Sequence, residues 1–156
     1  MTLPALTQRI LAIDFGTKRM GLAVSDALGI TAQGLQTLQH TNTENDLRHI
    51  QKLVVEYSTE RVIVGNPLSA SGNETAMSQR AAAFAEKLRR RVPCPVELWD
   101  ERLTSVQANR VLRESGISIE KRRRAVDRVA VTLLLQGYLD RRASDAERAL
   151  SDGAEP

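Results

Sequence analysis

Cysteine is nearly absent from this chain: Cys94 stands alone between Pro93 and Pro95, which rules out an internal disulfide and a thiolate metal cluster. Histidine is almost as scarce. His40 and His49 are the only imidazoles, and neither has a second ligand at zinc-site spacing, so the sequence assigns histidine no part in the chemistry. No apolar run is long enough to cross a bilayer. The opening MTLPALTQR lacks the charged lead and apolar centre of an export signal, so a cytoplasmic address with no membrane association is expected. Internal repeats and low-complexity linkers are missing too, and 156 residues suit one domain rather than two.

What is present is the balance of a globular domain, with 42% hydrophobic and 26% charged residues, enough to build a core. The net charge of +3 is small but uneven. Between Lys87 and Arg128 there are twelve Lys and Arg against six Asp and Glu. A basic stretch of this kind suits a polyanionic partner, because neutralising phosphates releases their counterions; a solvated helix face is the plain alternative. After Leu139 the sequence DRRASDAERALSDGAEP turns slightly acidic and has few large apolar residues. Residues 1–9 and 141–156 are therefore expected to be flexible ends flanking a folded domain over 10–140.

Periodicity orders the elements. ILAID, residues 10–14, reads as a central strand buried on both faces. A turn through FGTKR leads to an antiparallel partner, Met20 to Ser25, and a third strand over Ile30 to Leu38 looks like an edge. Leu47, Ile50, Val54 and Tyr57 recur at helical spacing behind a cap at Thr43 and Asp46. RVIVG, ending at Gly65-Asn66-Pro67, is a buried strand; Met77, Ala81, Phe84 and Leu88 mark a second helix; VELWD is a last strand. A capping box over Thr104 to Gln107 predicts a short third helix, and a fourth is expected from Ser118 to Leu139. The order predicts an α/β fold: a mixed five-stranded sheet, three strands antiparallel and then two parallel, flanked by helices. Right-handed crossovers bring the carboxyl ends of strands one, four and five to one edge, where ligands of open sheets tend to sit.

That edge collects acids. Asp14 ends the first strand and Asp100-Glu101 the last, while Asp127 sits at the border of the apolar stripe of the long helix. Each has a plain reading: a turn-former, a helix start, a solvated charge. Together they make a hard, oxygen-rich cluster whose mutual repulsion a divalent cation would relieve, and Mg2+ or Mn2+ suits such ligands. Two such ions can activate water and stabilise the leaving oxygen in phosphodiester cleavage. Gly16 lets the chain turn after Asp14, and Lys18 and Arg19 are placed to meet a phosphate or to stand as exposed hairpin charges. Asp26 reads as a turn residue.

The segments DFGTKRMGLAVSD, VIVGNPLSASGNET, WDERLTS and VDRVAVTLLLQGYLD, in this order, resemble the YqgF family, also called RuvX, over about residues 9–140. These are Holliday-junction-resolvase-like proteins connected with the 5′ end of precursor 16S rRNA. The resemblance implies an RNase H-like fold and a metal-dependent nuclease, with Asp14, Glu101 and Asp127 as catalytic and metal-binding positions, so that Glu101 is favoured over Asp100. Lys18, Arg19, Asn66, Arg102, Lys121, Arg122, Arg123 and Arg124 are the nucleic-acid-binding candidates. Asn66 and Val131 depart from the family pattern, where an apolar residue and an alanine are usual. The expected partner is precursor rRNA or branched DNA; a junction resolvase would need two sites in symmetric arrangement, which a homodimer supplies. Two rivals stand beside this reading. D-x-G-T-K also resembles the phosphate loop of actin-like kinases and chaperone ATPases, which clamp nucleotide between two domains where this chain has one, and the fold could serve a non-catalytic ribosome-assembly factor, against which the intact acid set argues weakly.

Overall fold

Six strands and three long helices make three layers in the computed structural model, which describes residues 8–102 and 119–153, the side chains of 119–127 excepted. The strands are β1 (Ile10–Phe15), β2 (Arg19–Ser25), β3 (Ala32–Gly34), β4 (Leu38–Gln39), β5 (Arg61–Asn66) and β6 (Val96–Asp100); the helices are α1 (Thr43–Glu56), α2 (Ala76–Arg89) and α3 (Ile119–Gly153). The main path of the sheet runs β3-β2-β1-β5-β6, and β4 also pairs with β2. β1 is antiparallel to β2 and parallel to β5, which is parallel to β6. The expected mixed sheet is therefore present.

One strand differs from expectation. The third does not run unbroken from Ile30 to Leu38 but forms two short pieces on β2, β3 beside Ala23–Ser25 and β4 beside Arg19–Met20. Side-chain alternation in this stretch conceals the break at 35–37.

Alternation along β1 divides the core. Leu11 and Ile13 point to the layer of α1 and α2, where they pack with Ile50, Val54, Phe84 and Leu88. Ile10 and Ala12 point to α3 and meet Val131, Leu134 and Leu135. All of these are fully or nearly fully buried. This explains why β1 carries no polar residue before Asp14: a strand covered on both faces has no solvent side.

The helix ends refine the sequence reading. α1 is capped by Asn42, whose side chain accepts from the Asn45 amide at 2.8 Å. Thr43 and Asp46 do not cap it, because a cap must precede the first helical residue with extended backbone, and that place is Asn42. α2 has a capping box, Thr75 and Ser78 each accepting from the other's backbone amide. α3 continues past Leu139 to Gly153, so much of the segment expected to be a flexible tail is helix, largely exposed. Alanine, arginine and glutamate need no buried face to remain helical, and Arg142 anchors the extension to Glu60 at 2.9 Å. The expected third helix near Thr104 lies outside the described residues, as do residues 1–7. Among the described residues no helix is long and apolar enough to cross a membrane.

Candidate active site

Alternation also decides which acid faces which. Asp14 follows Ile10 and Ala12 on the α3 side of β1. On β6, Trp99 packs into the α3 layer and Leu98 into the other, so Glu101 emerges on the α3 side and Asp100 on the opposite one. Glu101 accordingly shares a hydrogen bond with Asp14. Burial, then the nearby charge of Asp14 and that shared hydrogen bond, push its carboxyl up to about 8. Asp100 is turned away to Arg102, which donates to it from Nε at 2.8 Å and from its amide at 3.0 Å. The guanidinium holds the Asp100 carboxyl below its ordinary value.

Backbone geometry makes room for the pair. Gly65 lies between Val64 and Asn66 at the end of β5, and a Cβ there would run into Glu101 Oε2 and come within 2.7 Å of Leu134 Cδ1. The Glu101 amide reaches the Asn66 carbonyl at 3.4 Å. Gly16 serves the turn after Asp14: a Cβ would sit 2.5 Å from the Arg19 carbonyl oxygen, which accepts from the Gly16 amide at 3.0 Å.

The third expected acid, Asp127, stands in α3 about two helical turns before Leu134, the residue that abuts Gly65. α3 runs from Arg128 against Gly34 towards Arg142 against Glu60, against the direction of β1. Its first turns therefore lie towards the edge that carries Asp14. The carboxylate of Asp127 and the side chains of Lys121, Arg122, Arg123 and Arg124 fall outside the described residues. Among the described residues no third metal-ligating side chain joins Asp14 and Glu101.

The other candidates separate. Lys18 is exposed on the turn after Asp14, with Arg19 half-buried beside it. Asn66 lies on the side of β5 opposite Gly65, and its Oδ1 is buried without a hydrogen-bond partner. Asp26 is a turn residue as expected: its Oδ1 accepts from the amides of Ile30 at 2.7 Å and Thr31 at 3.1 Å, at the far end of β2 from Asp14.

Sequence reasoning misses one polar group. His40 Nε2 donates to the Gly16 carbonyl at 2.8 Å, and Nδ1 meets Asp46 Oδ2 at 2.6 Å. The His40 amide donates to the Lys18 carbonyl at 3.0 Å. The turn that follows Asp14 is thus tied to α1 through one imidazole, by residues whose spacing resembles no motif.

The acid pair fits a hard divalent cation. Its donors are all oxygen, and the burial and mutual repulsion that push the Glu101 carboxyl up are what a divalent cation between the two would offset. A stability test follows from the sign of the shift. With the folded carboxyl of Glu101 above its unfolded value, the metal-free protein loses stability as pH rises from the ordinary glutamate range to about 8. Glu101→Gln should therefore raise the melting temperature of metal-free protein at pH 8 by several degrees, on the order expected of a few kcal/mol. At pH 4 the difference should vanish. Calorimetry in EDTA across this range checks it, and an unchanged melting temperature at pH 8 would mean the pair carries no strain.

Known proteins resemble this chain along nearly its whole length. The family model described as "RuvX: Holliday junction resolvase" matches residues 8–141. A protein of Koribacter versatilis (strain Ellin345), named "Putative pre-16S rRNA nuclease", is 51% identical over 147 residues, covering 94% of this chain and 96% of the relative. A protein of the same name from Moorella thermoacetica is 46% identical over 133 residues, covering 85% and 95%. Among solved structures, Thermus thermophilus RuvC in complex with a Holliday junction substrate superposes with a TM-score of 0.56 at 16% identity, covering 88% of this chain and 96% of that one. Fowlpox virus resolvase with Holliday junction DNA gives 0.52 at 14% identity, covering 85% and 97%. At such identities the likeness is one of fold, the RNase H-like arrangement expected from sequence.

Proposed function

This chain belongs to the RuvX family, and from that premise we propose that it is a cytoplasmic, divalent-metal-dependent nuclease that hydrolyses phosphodiester bonds in processing the 5′ end of precursor 16S rRNA. The observation that carries the reading is the Asp14–Glu101 pair, two carboxyls brought together from the ends of separate strands. Asp14, Glu101 and Asp127 would hold Mg2+ or Mn2+, which supplies activation of water and neutralisation of the leaving oxygen.

The chain's own residues prepare the site. Asp14 is the last residue but one of β1, a strand buried on both faces, so its backbone cannot shift without disturbing both core layers. Gly65 opens the space in which Glu101 lies, and His40 fixes the turn that follows Asp14. Lys18, Arg19, Asn66, Arg102 and Lys121 to Arg124 bind the nucleic-acid backbone around this edge. Arg102 does so from a guanidinium already oriented by Asp100.

The decisive experiment incubates purified protein with Mg2+, Mn2+ or EDTA and matched precursor rRNA ends, four-way DNA junctions and single strands. Cleavage of the rRNA end in metal and none in EDTA is expected. Preferential cutting of four-way junctions would favour the resolvase reading, which the fold shared with junction-binding resolvases supports and which requires a homodimer.

Replacing Lys121, Arg122, Arg123 and Arg124 together with alanine should weaken RNA binding with little change in melting temperature. The slope of log affinity against log salt should fall by about one unit for each phosphate that these side chains neutralise. An unchanged slope in a salt titration would remove these four from the interface.

A further inference from the structure

The edge that holds the carboxylates also opens on the opposite side of β1. Because Phe15 follows Asp14, its ring points into the α1–α2 layer, where it meets the rings of His40 at 5.2 Å and Phe84 at 5.3 Å between centroids. Beside these rings is a cavity of about 310 Å³ between the start of α1 and the exposed side of α2. Thr17, on the turn after Asp14, lines its mouth.

Its polar groups are of two kinds. Arg80 and Lys87, two turns apart on α2, supply positive charge, and no carboxylate among the described residues pairs with either. Asp46 is 4% exposed and lines the same cavity. Its Oδ2 is bound to His40, but its Oδ1 is buried with no hydrogen-bond partner.

We propose that this cavity binds one unpaired nucleotide of the RNA strand that flanks the scissile bond. The base lies against the Phe15–His40 wall, and the phosphate meets Arg80 and Lys87. The chemistry is that of single-strand recognition, an aromatic platform beside cations. Geometry supplies continuity: Asp14 and Phe15 are consecutive and face opposite layers, so a strand crossing the Gly16–Arg19 turn passes exposed Lys18 between the two places. The inference rests on the nuclease reading for its substrate and not for its pocket.

The test uses the full chain in EDTA and two fluorescent RNAs, a blunt duplex and the same duplex with a short single-stranded extension. Wild type should bind the extended RNA about tenfold more tightly. Ala83→Trp, which fills the cavity from an exposed position of α2, should abolish that difference, and so should the double variant Arg80→Ala, Lys87→Ala. Lys52→Ala, exposed on α1 outside the cavity lining, should keep it. Equal wild-type affinity for the two RNAs overturns the pocket while leaving the nuclease reading intact, as does a difference that survives in both cavity variants. A difference that disappears in Lys52→Ala as well overturns it in favour of general charge. Failure of wild type to bind either RNA overturns the nuclease reading itself.

Discussion

Asp14→Asn is expected to reduce cleavage of a precursor rRNA end by about a thousandfold or more, while RNA affinity stays at or slightly above the wild-type level. The substitution preserves the shape of the side chain and its place at the end of β1, so folding is undisturbed. It removes the negative charge that would hold the cation, and losing a metal ligand at such a site costs several kcal/mol of transition-state stabilisation, on the order of a factor of ten in rate for each 1.4 kcal/mol. Repulsion of the substrate phosphate falls at the same time, which is why binding does not suffer. Single-turnover cleavage in Mn2+, with fluorescence anisotropy for affinity, separates the two effects. If wild type cuts nothing in metal, the chain is a non-catalytic assembly factor that keeps the nuclease fold; if the variant cuts as fast as wild type, Asp14 holds no catalytic metal and the proposed site is wrong.

Gly65→Ala should have the next largest effect, although residue 65 touches no substrate in the proposed mechanism. The added methyl collides with the Glu101 carboxylate and lies 2.7 Å from Leu134 Cδ1. The glutamate side chain is the more mobile of the two, so it gives way, and with it one oxygen of the proposed metal site. A reduction of about a hundredfold in kcat/KM is expected, with a destabilisation of about 1–2 kcal/mol from crowding against Leu134. Glu101→Asp withdraws the carboxylate by one methylene. Combined with Gly65→Ala it should lose less activity than the sum of the two single changes, because both act on the same space. Additive losses in this double-mutant cycle, or full activity of Gly65→Ala, would separate the glycine from the site.

How legible these features are in the sequence depends on how each declares itself. An aspartate at the end of a fully apolar run is conspicuous because burying it is expensive, so Asp14 stands out, and the same logic sets off Asp100-Glu101 after VELW. The residues by themselves leave the choice between those two open and only the family resemblance favours Glu101; the register of β6 places Trp99 and Glu101 on the α3 side. Gly65 reads only as part of a Gly-Asn-Pro turn; that it faces a carboxylate is a three-dimensional fact. His40 and Asp46 are invisible as a unit because six residues across a helix start match no recurring spacing. The split of the third strand hides in a pattern that suits one edge strand as well as two. The length of α3 escapes the sequence reading because its exposed half lacks the apolar stripe by which helices are usually recognised, though helix propensity does not require one.

The opposed orientation of Asp14 and Phe15, and of Asp100 and Glu101, makes the site sensitive to strand length as well as to residue identity. A single residue inserted into or deleted from β1 before Asp14 would exchange the two layers for every residue after it, presenting an aromatic ring to α3 and a carboxylate to the apolar interior beneath α1 and α2. The same change in β6 would present Asp100 or Arg102 to Asp14 in place of Glu101. Such a chain would retain every amino acid of the site and lose the site, so length changes in these two strands are expected to be far less tolerated than substitutions, and viable insertions should fall in the connections on either side.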